Sequence, residues 1–262
     1  MQDLPRVFLP PSAFADAGQP DSGHAASPLT LEGEAFHHLC RVLRLKAGDR
    51  LYALDGLGTL YHVTLDEVAK ERAHGRVTAS EPAGGEPPVA ITLAAAIPKG
   101  ERWELILQKA TELGVSRILP LMTSRTVVQV DPRKAQDKLA RWQKIVLEAA
   151  EQCERGRVPE VMMPMTWNAF VKAQAAQATS GSLLLACLER SGAPLPQVLG
   201  AAARPEAITV LVGPEGGFSP AEADEALAMG AKGISLGSRI LRAETASLAV
   251  LAMLSYRYEL GE

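Results

Sequence analysis

Hydrophobic and polar positions divide the chain into two stretches of different period. Up to residue 83, short apolar-rich patches alternate with turns. Arg6–Leu9, Arg50–Leu54, Leu60–Leu65 and His74–Ala79 read as strands. Asp55-Gly56-Leu57-Gly58 supplies a hairpin turn between two of them. His37–Leu45 reads as a short helix, and Pro10–Pro28, rich in Pro, Ala, Gly, Asp and Ser, as an enlarged, mobile loop. A small β-barrel is the economical arrangement of these pieces. Ala83-Gly84-Gly85-Glu86-Pro87-Pro88 is a turn-rich linker, so the expected domains are residues 1–83 and 84–262.

Beyond the linker, strand and helix patterns alternate. Val89–Ala96, Val115–Leu121, Leu183–Leu188, Ile208–Val212 and Ile234–Leu236 are apolar runs of strand length. Glu101–Leu113 is an amphipathic helix closed by Gly114. Lys134–Arg155 is a longer one, with Leu139, Trp142, Ile145, Val146 and Ala149 on its apolar face. Ser219, Pro220 and Glu222 spell an N-cap, a first helical proline and a capping box for a helix over Pro220–Met229, which Gly230 closes. Thr245 to about Leu254 is apolar on most sides, as a buried helix is. Such alternation predicts an α/β domain, a parallel sheet covered by helices.

Candidate chemistry concentrates where two of these strands end. Val210-Leu211-Val212-Gly213-Pro214-Glu215-Gly216-Gly217-Phe218-Ser219 runs from a strand into a glycine loop. Ile234-Ser235-Leu236-Gly237-Ser238-Arg239-Ile240-Leu241-Arg242-Ala243-Glu244-Thr245 does the same before the apolar helix. Two such loops at the same end of neighbouring strands would form one crevice, the place where open α/β sheets bind ligands. Neither loop is a G-x-G-x-x-G or a P-loop, so no phosphate site is indicated. Two arginines and a glutamate ahead of a buried helix need partners. A site supplies them, and so would a plain ion-pair network.

Composition narrows the class without naming it. The chain has 262 residues, 47% of them hydrophobic, and a net charge of −3. The charge argues weakly against nucleic acid, although a basic patch can exist on an acidic protein. No apolar run is long enough to span a membrane, and Met1-Gln2-Asp3-Leu4-Pro5 lacks the basic and apolar regions of a signal peptide. Cys40, Cys153 and Cys187 are scattered, odd in number and without metal-ligand spacing, which fits a reducing cytoplasm and no metal site. Arg41, Arg44, Lys46 and Arg50 cluster beside His37 and His38. At i and i+3, Arg41 and Arg44 would share a helical face.

Several segments together resemble one family. They are Gly213-Pro214-Glu215-Gly216-Gly217-Phe218-Ser219, Leu236-Gly237-Ser238-Arg239-Ile240-Leu241-Arg242-Ala243-Glu244-Thr245, His38-Leu39-Cys40-Arg41-Val42-Leu43-Arg44, Gln108-Lys109-Ala110-Thr111-Glu112-Leu113-Gly114-Val115, and Glu148-Ala149-Ala150-Glu151-Gln152-Cys153 running on to Arg157-Val158-Pro159-Glu160. In these the chain resembles the RsmE family, the small-subunit (16S) ribosomal RNA uridine-N3 methyltransferases of the SPOUT superfamily. The resemblance implies an N-terminal PUA-like, RNA-binding β-barrel and a C-terminal domain with a deep trefoil knot. It implies a homodimer that binds ribosomal RNA, within the small subunit, and S-adenosyl-L-methionine as cofactor. The cofactor would meet Leu211, Val212, Gly213, Glu215, Gly216, Leu236, Gly237, Ile240, Leu241 and Thr245. RNA would meet Arg41, Arg44, Lys99, Arg102, Arg125 and Arg155, with Arg157 a further candidate.

Methylating N3 of a neutral uracil requires loss of a proton and stabilisation of the negative charge on O2 or O4. On the resemblance, Arg242 is the charge stabiliser, and Glu244, Glu215 and Glu151 are possible bases. N3 lies on the Watson–Crick edge, so the target base must be unpaired or splayed out. Three other readings stay open. One is a SPOUT methyltransferase acting at another RNA position, and one is a non-catalytic, dimeric RNA-binding protein. The third, a nucleotide-dependent oxidoreductase, is disfavoured by the missing glycine fingerprint.

Overall fold

A computed structural model describes residues 4–15, 27–176, 181–188, 191–200 and 204–260. Its backbone contacts separate into two compact units. The first comprises residues 1–86 with 150–158, and the second 87–149 with 159–262. The first unit thus includes the end of a helix that begins in the second, which a single cut in the sequence cannot express.

In the first unit, β1 (Arg6–Phe8), β2 (Ser27–Leu31), β3 (Arg50–Leu54), β4 (Thr59–Val68) and β5 (Ala73–Pro82) form one sheet in the order β1-β3-β4-β5-β2. Only β1 and β3 run parallel. All five strands send side chains into one core, among them Val7, Leu29, Leu31, Leu51, Val63, Leu65 and Val77. Helix α1 (Gly33–Phe36) continues as a π-helical turn over His37–Val42 and adds Phe36, Leu39 and Cys40 to that core. The expected loop over Pro10–Pro28 is only partly borne out. Pro11–Phe14 is a 3₁₀ turn that buries Phe14, and Pro28 lies inside β2, paired with Arg76. Residues 16–26 of that stretch lie outside the described residues. Strand β2 escapes the sequence pattern because it is an edge strand of only five residues that contains a proline.

In the second unit the chain alternates as expected. Its elements are β6 (Ala90–Ala96), α2 (Arg102–Glu112), β7 (Arg117–Met122), α3 (Ala135–Gln152), β8 (Glu160–Val161), β9 (Met165–Thr166), α4 (Trp167–Ala176), β10 (Ser182–Cys187), β11 (Ala193–Pro194), α5 (Leu195–Gly200), β12 (Ala207–Val212), α6 (Pro220–Ala228), β13 (Lys232–Ser235) and α7 (Ala243–Ser255). The strands form one parallel sheet in the order β11-β13-β10-β12-β6-β7-β8, with β9 also on β7. Strand β13 lies beyond β10, yet α7, which follows it, packs back on α2, β6 and β12. Residues 236–242 make that return.

The helix stops follow the expected chemistry. Gly114 and Gly230 adopt positive φ of 81° and 88°, where a side chain would be strained. The short elements β8, β9, β11 and α5 were not legible, because two-residue strands and a six-residue helix carry no measurable period, and the ten-residue α4 was also missed.

Candidate active site

A cavity of about 390 Å³ opens at the carboxyl ends of β10, β12 and β13. Buried apolar side chains on both faces hold β12 in the sheet up to Val212. Gly213 then turns the chain sharply. A Cβ there would lie 3.0 Å from the Phe218 amide nitrogen, so only glycine fits without shifting the loop. The amide of Gly217 donates to the Pro214 carbonyl, with Gly217 at φ 65°. From the other side come Leu236, Gly237 at φ 123°, Arg239 and Leu241. Backbone and aliphatic groups therefore dominate the lining.

The two loops are not on neighbouring strands, as the sequence pattern suggested. Strand β10 lies between β12 and β13, and its end contributes Cys187, Leu188 and Ser191 as a third wall. Burial pushes the Cys187 thiol up to about 12, so it faces the cavity as a neutral group. Gly192 lets the chain entering β11 lie against β13, because a Cβ there would overlap the Ile234 backbone at 2.2 Å.

A buried carboxylate fixes the glycine loop. The expected capping box forms: Ser219 Oγ accepts from the Glu222 amide at 3.2 Å, and Glu222 Oε2 accepts from the Ser219 amide at 2.9 Å. Glu222 Oε1 also accepts from the Ser124 amide at 2.7 Å, which ties in the loop after β7. From that loop Arg125 Nη1 donates to the Gly216 and Phe218 carbonyls, at 2.8 and 3.3 Å. Desolvation raises the Glu222 carboxyl, but hydrogen bonds from Ser124 and Ser219 outweigh it and hold the group below its ordinary value. Stability from this group is therefore present above the unfolded-state carboxylate pKa and lost as pH falls through the lower folded value. We expect Glu222→Gln to cost about 1–3 kcal/mol at neutral pH and to flatten the acid limb of the melting curve. Thermal melts over a pH series check both.

A charged cluster lies beside the cavity, drawn from the glycine loop and the first turns of α2 and α7. Arg102, the first residue of α2, places Nη1 3.2 Å from Glu215 Oε1 and Nε 3.6 Å from Glu244 Oε1. The Lys99 amide reaches Glu215 Oε1 at 3.5 Å. Glu244 stands in the first turn of α7 with its side chain 13% exposed, and its Oε2 is buried without a hydrogen-bond partner among the described residues.

Comparison with known proteins gives this arrangement a family. Residues 85–255 match the model of an RNA methyltransferase domain, and residues 31–78 that of an RNA methyltransferase PUA domain. Ribosomal RNA small subunit methyltransferase E of Synechocystis sp. is 41% identical over 231 residues, covering 87% of this chain and 72% of that protein. The Bacillus subtilis protein of the same name is 32% identical over 239 residues, covering 90% and 92%. The chain belongs to the RsmE family. A crystal structure of the Neisseria gonorrhoeae RsmE protein bound to S-adenosyl methionine superposes with a TM-score of 0.82, at 30% identity, covering 98% of each chain. The RNA methyltransferase match over residues 85–255 is thus the family's SPOUT domain, and the match over 31–78 its PUA-like domain.

Within this RsmE chain the expected cofactor residues fall into two groups. Val212, Gly213, Gly216, Leu236, Gly237 and Leu241 line the cavity. Leu211, Glu215, Ile240 and Thr245 do not. Leu211 is fully buried in the core on the same strand, Ile240 is 65% exposed, Thr245 is exposed on α7, and Glu215 turns to Arg102. Cys187, Leu188, Ser191 and Phe218 line the cavity unforeseen. Cys187 ends β10 and Leu188 and Ser191 follow it, where no glycine comes before Gly192. Arg242 is the N-cap of α7, exposed, between Leu241 and Ala243, which both line the cavity.

The RNA-contact candidates also separate. Arg155 is 3% exposed, and its guanidinium pairs with Glu86 through Nε at 3.2 Å and Nη2 at 2.6 Å. It holds the first unit together and is withdrawn as an RNA contact. Breaking such a buried pair typically costs about 3–5 kcal/mol. Glu151 accepts from the Phe8 amide at 3.2 Å in the same unit, a structural duty that withdraws it as a base. Arg125 and Arg102 have the partners described above, whereas Lys99 is exposed.

Arg41 and Arg44 do not share an α-helical face, because the turn carrying Arg41 is π-helical and Arg44 lies past its end at φ 62°. Both nonetheless border one concavity with Lys46. Arg41 also stacks over the Phe36 ring at 5.1 Å and donates to the Lys70 carbonyl. His37, His38 and Arg50 are exposed.

Proposed function

We propose that this protein methylates N3 of a uridine in small-subunit ribosomal RNA, using S-adenosyl-L-methionine. The observation that carries this reading is the glycine-and-aliphatic cavity at the three strand ends, in a chain of the RsmE family. The cavity's volume suits a cofactor-sized ligand. The close backbone approach at Gly213, Gly216 and Gly237 suits a nucleoside, and the neutral Cys187 thiol adds no charge beside a sulfonium. When bound, the cofactor supplies an electrophilic methyl group and leaves as a neutral thioether.

In this reading Val212, Gly213, Gly216, Leu236, Gly237 and Leu241 hold the cofactor. The uracil N3–H bond breaks, its proton passes to the Glu244 carboxylate, and the N3 lone pair forms the new bond to carbon. Arg242 stabilises the negative charge shared by O2 and O4. Glu244 is preferred over Glu215 because its buried Oε2 is unpartnered among the described residues, whereas the more exposed Glu215 is already held by Arg102 and the Lys99 amide. Incubating the full-length protein with unmodified small-subunit ribosomal RNA and labelled cofactor should place label on uridine alone. Label on another base would redirect the reading to a different RNA position.

The remaining partners belong to the same proposal. Arg41, Arg44 and Lys46 hold RNA phosphates. Reversing Arg41 and Arg44 to Glu should weaken RNA binding and reduce the salt slope by about one unit per lost contact. Filter binding across a salt series checks this, and calorimetry should show cofactor affinity unchanged. The protein works in the cytoplasm as a homodimer with two-fold contacts. The exposed apolar side chains Met253, Tyr256 and Leu260 at the C-terminal end support an interface there. Light scattering at micromolar concentration should give twice the chain mass of 27.9 kDa.

A further inference from the structure

We infer that Arg102 and Glu244 form a two-point reader of the uracil edge, and that this pair selects uracil over cytosine. The inference rests on the methyl-transfer reading above and extends it to substrate discrimination.

Arg102 is anchored by Glu215 through Nη1 and lies beside Glu244 through Nε. Its Nη2 has no partner among the described residues and remains a donor. Glu244 presents the complementary group, an acceptor oxygen that is buried and unsatisfied among the described residues. A buried carboxylate oxygen without a donor is costly, so a ligand donor at that place is favoured. The two side chains meet through Nε and Oε1 at 3.6 Å, so the spare donor and the spare acceptor belong to one contacting pair.

Uracil presents the matching pattern, an N3–H donor flanked by two carbonyl acceptors. Cytosine replaces that donor with a bare ring nitrogen and one carbonyl with an amino group. Against Glu244 its N3 lone pair would face a carboxylate oxygen, and against Arg102 its amino group would face a donor. Sites built to hydrogen-bond a substrate discriminate strongly against an analogue that leaves their polar groups unpaired. Glu215 is a positioning residue in this arrangement, since its hold on Nη1 orients the guanidinium plane. The backbone neighbours of both carboxylates, Gly216 and Ala243, line the cofactor cavity, so Glu215 and Glu244 stand beside it and Arg102 reaches them from the start of α2.

The test uses full-length protein saturated with S-adenosylhomocysteine and a short RNA carrying either the target uridine or cytidine in its place. Wild type should bind the uridine RNA about 10–100-fold more tightly. Glu244→Gln should close most of that gap, because its amide can donate to the cytosine ring nitrogen. Arg102→Gln should narrow the gap with cofactor affinity unchanged, and Arg102→Lys should restore part of it. A gap retained in folded Glu244→Gln and Arg102→Gln, or no gap in wild type, overturns the inference. Methyl transfer to uridine N3 by wild type is measured in parallel. Its absence sinks the underlying reading, whereas transfer with an unchanged gap sinks only the reader.

Discussion

Gly216→Arg is expected to abolish S-adenosylmethionine binding while the protein stays folded. Gly216 lines the cavity. A Cβ built on it meets nothing closer than Arg125 Cδ at 3.6 Å, an ordinary contact, and its backbone is not left-handed. A side chain is therefore tolerated by the fold. An arginine adds a long cationic chain beside Arg125 and beside the place a sulfonium would occupy, so steric and electrostatic effects act together. We expect more than a hundredfold loss of affinity by calorimetry, with the melting temperature within about 4 °C of wild type. Gly213 would be a poorer choice, since its Cβ would press on the Phe218 amide and confuse binding with folding. Unchanged affinity in folded Gly216→Arg would remove the glycine loop from the cofactor site.

Arg242→Ala should slow the chemical step by about 10²–10³-fold, the usual worth of one electrostatic donor aimed at developing charge. Arg242 is exposed at the start of α7, has no side-chain capping bond, and does not itself line the cavity. Truncation should thus leave fold, cofactor affinity and RNA affinity nearly unchanged. Single-turnover methylation at saturating RNA and cofactor measures the step directly. A normal rate constant would defeat the assignment. A slow one at saturation in Arg41→Glu would mean that the barrel arginines, not Arg242, serve the chemistry.

The sequence made legible those features that local physics determines. The Ser219–Glu222 capping box, the glycine stops at Gly114 and Gly230, and the long strands of the parallel sheet are set by neighbours in sequence. Features set by distant neighbours were not legible. Nothing near Glu222 announces that Ser124 will donate to it, 98 positions away. The order β13-β10-β12, which brings Cys187 into the cavity, depends on chain crossings that leave no periodic trace. Arg155 looked like an exposed cation until Glu86 closed on it, and a guanidinium has the same letter whether it faces solvent or a carboxylate. Arg41 and Arg44 border one concavity through a π-turn and a left-handed residue rather than through a shared α-helical face, which their i, i+3 spacing did not announce.

The central claim is methylation of uridine N3 in small-subunit ribosomal RNA, and its most direct test is a mass-spectrometric map of that RNA. RNA from cells lacking this protein should lose one N3-methyluridine, and the purified protein with S-adenosylmethionine should restore methylation at the same nucleotide. An unchanged map, or restored methylation on a different base, would contradict the account.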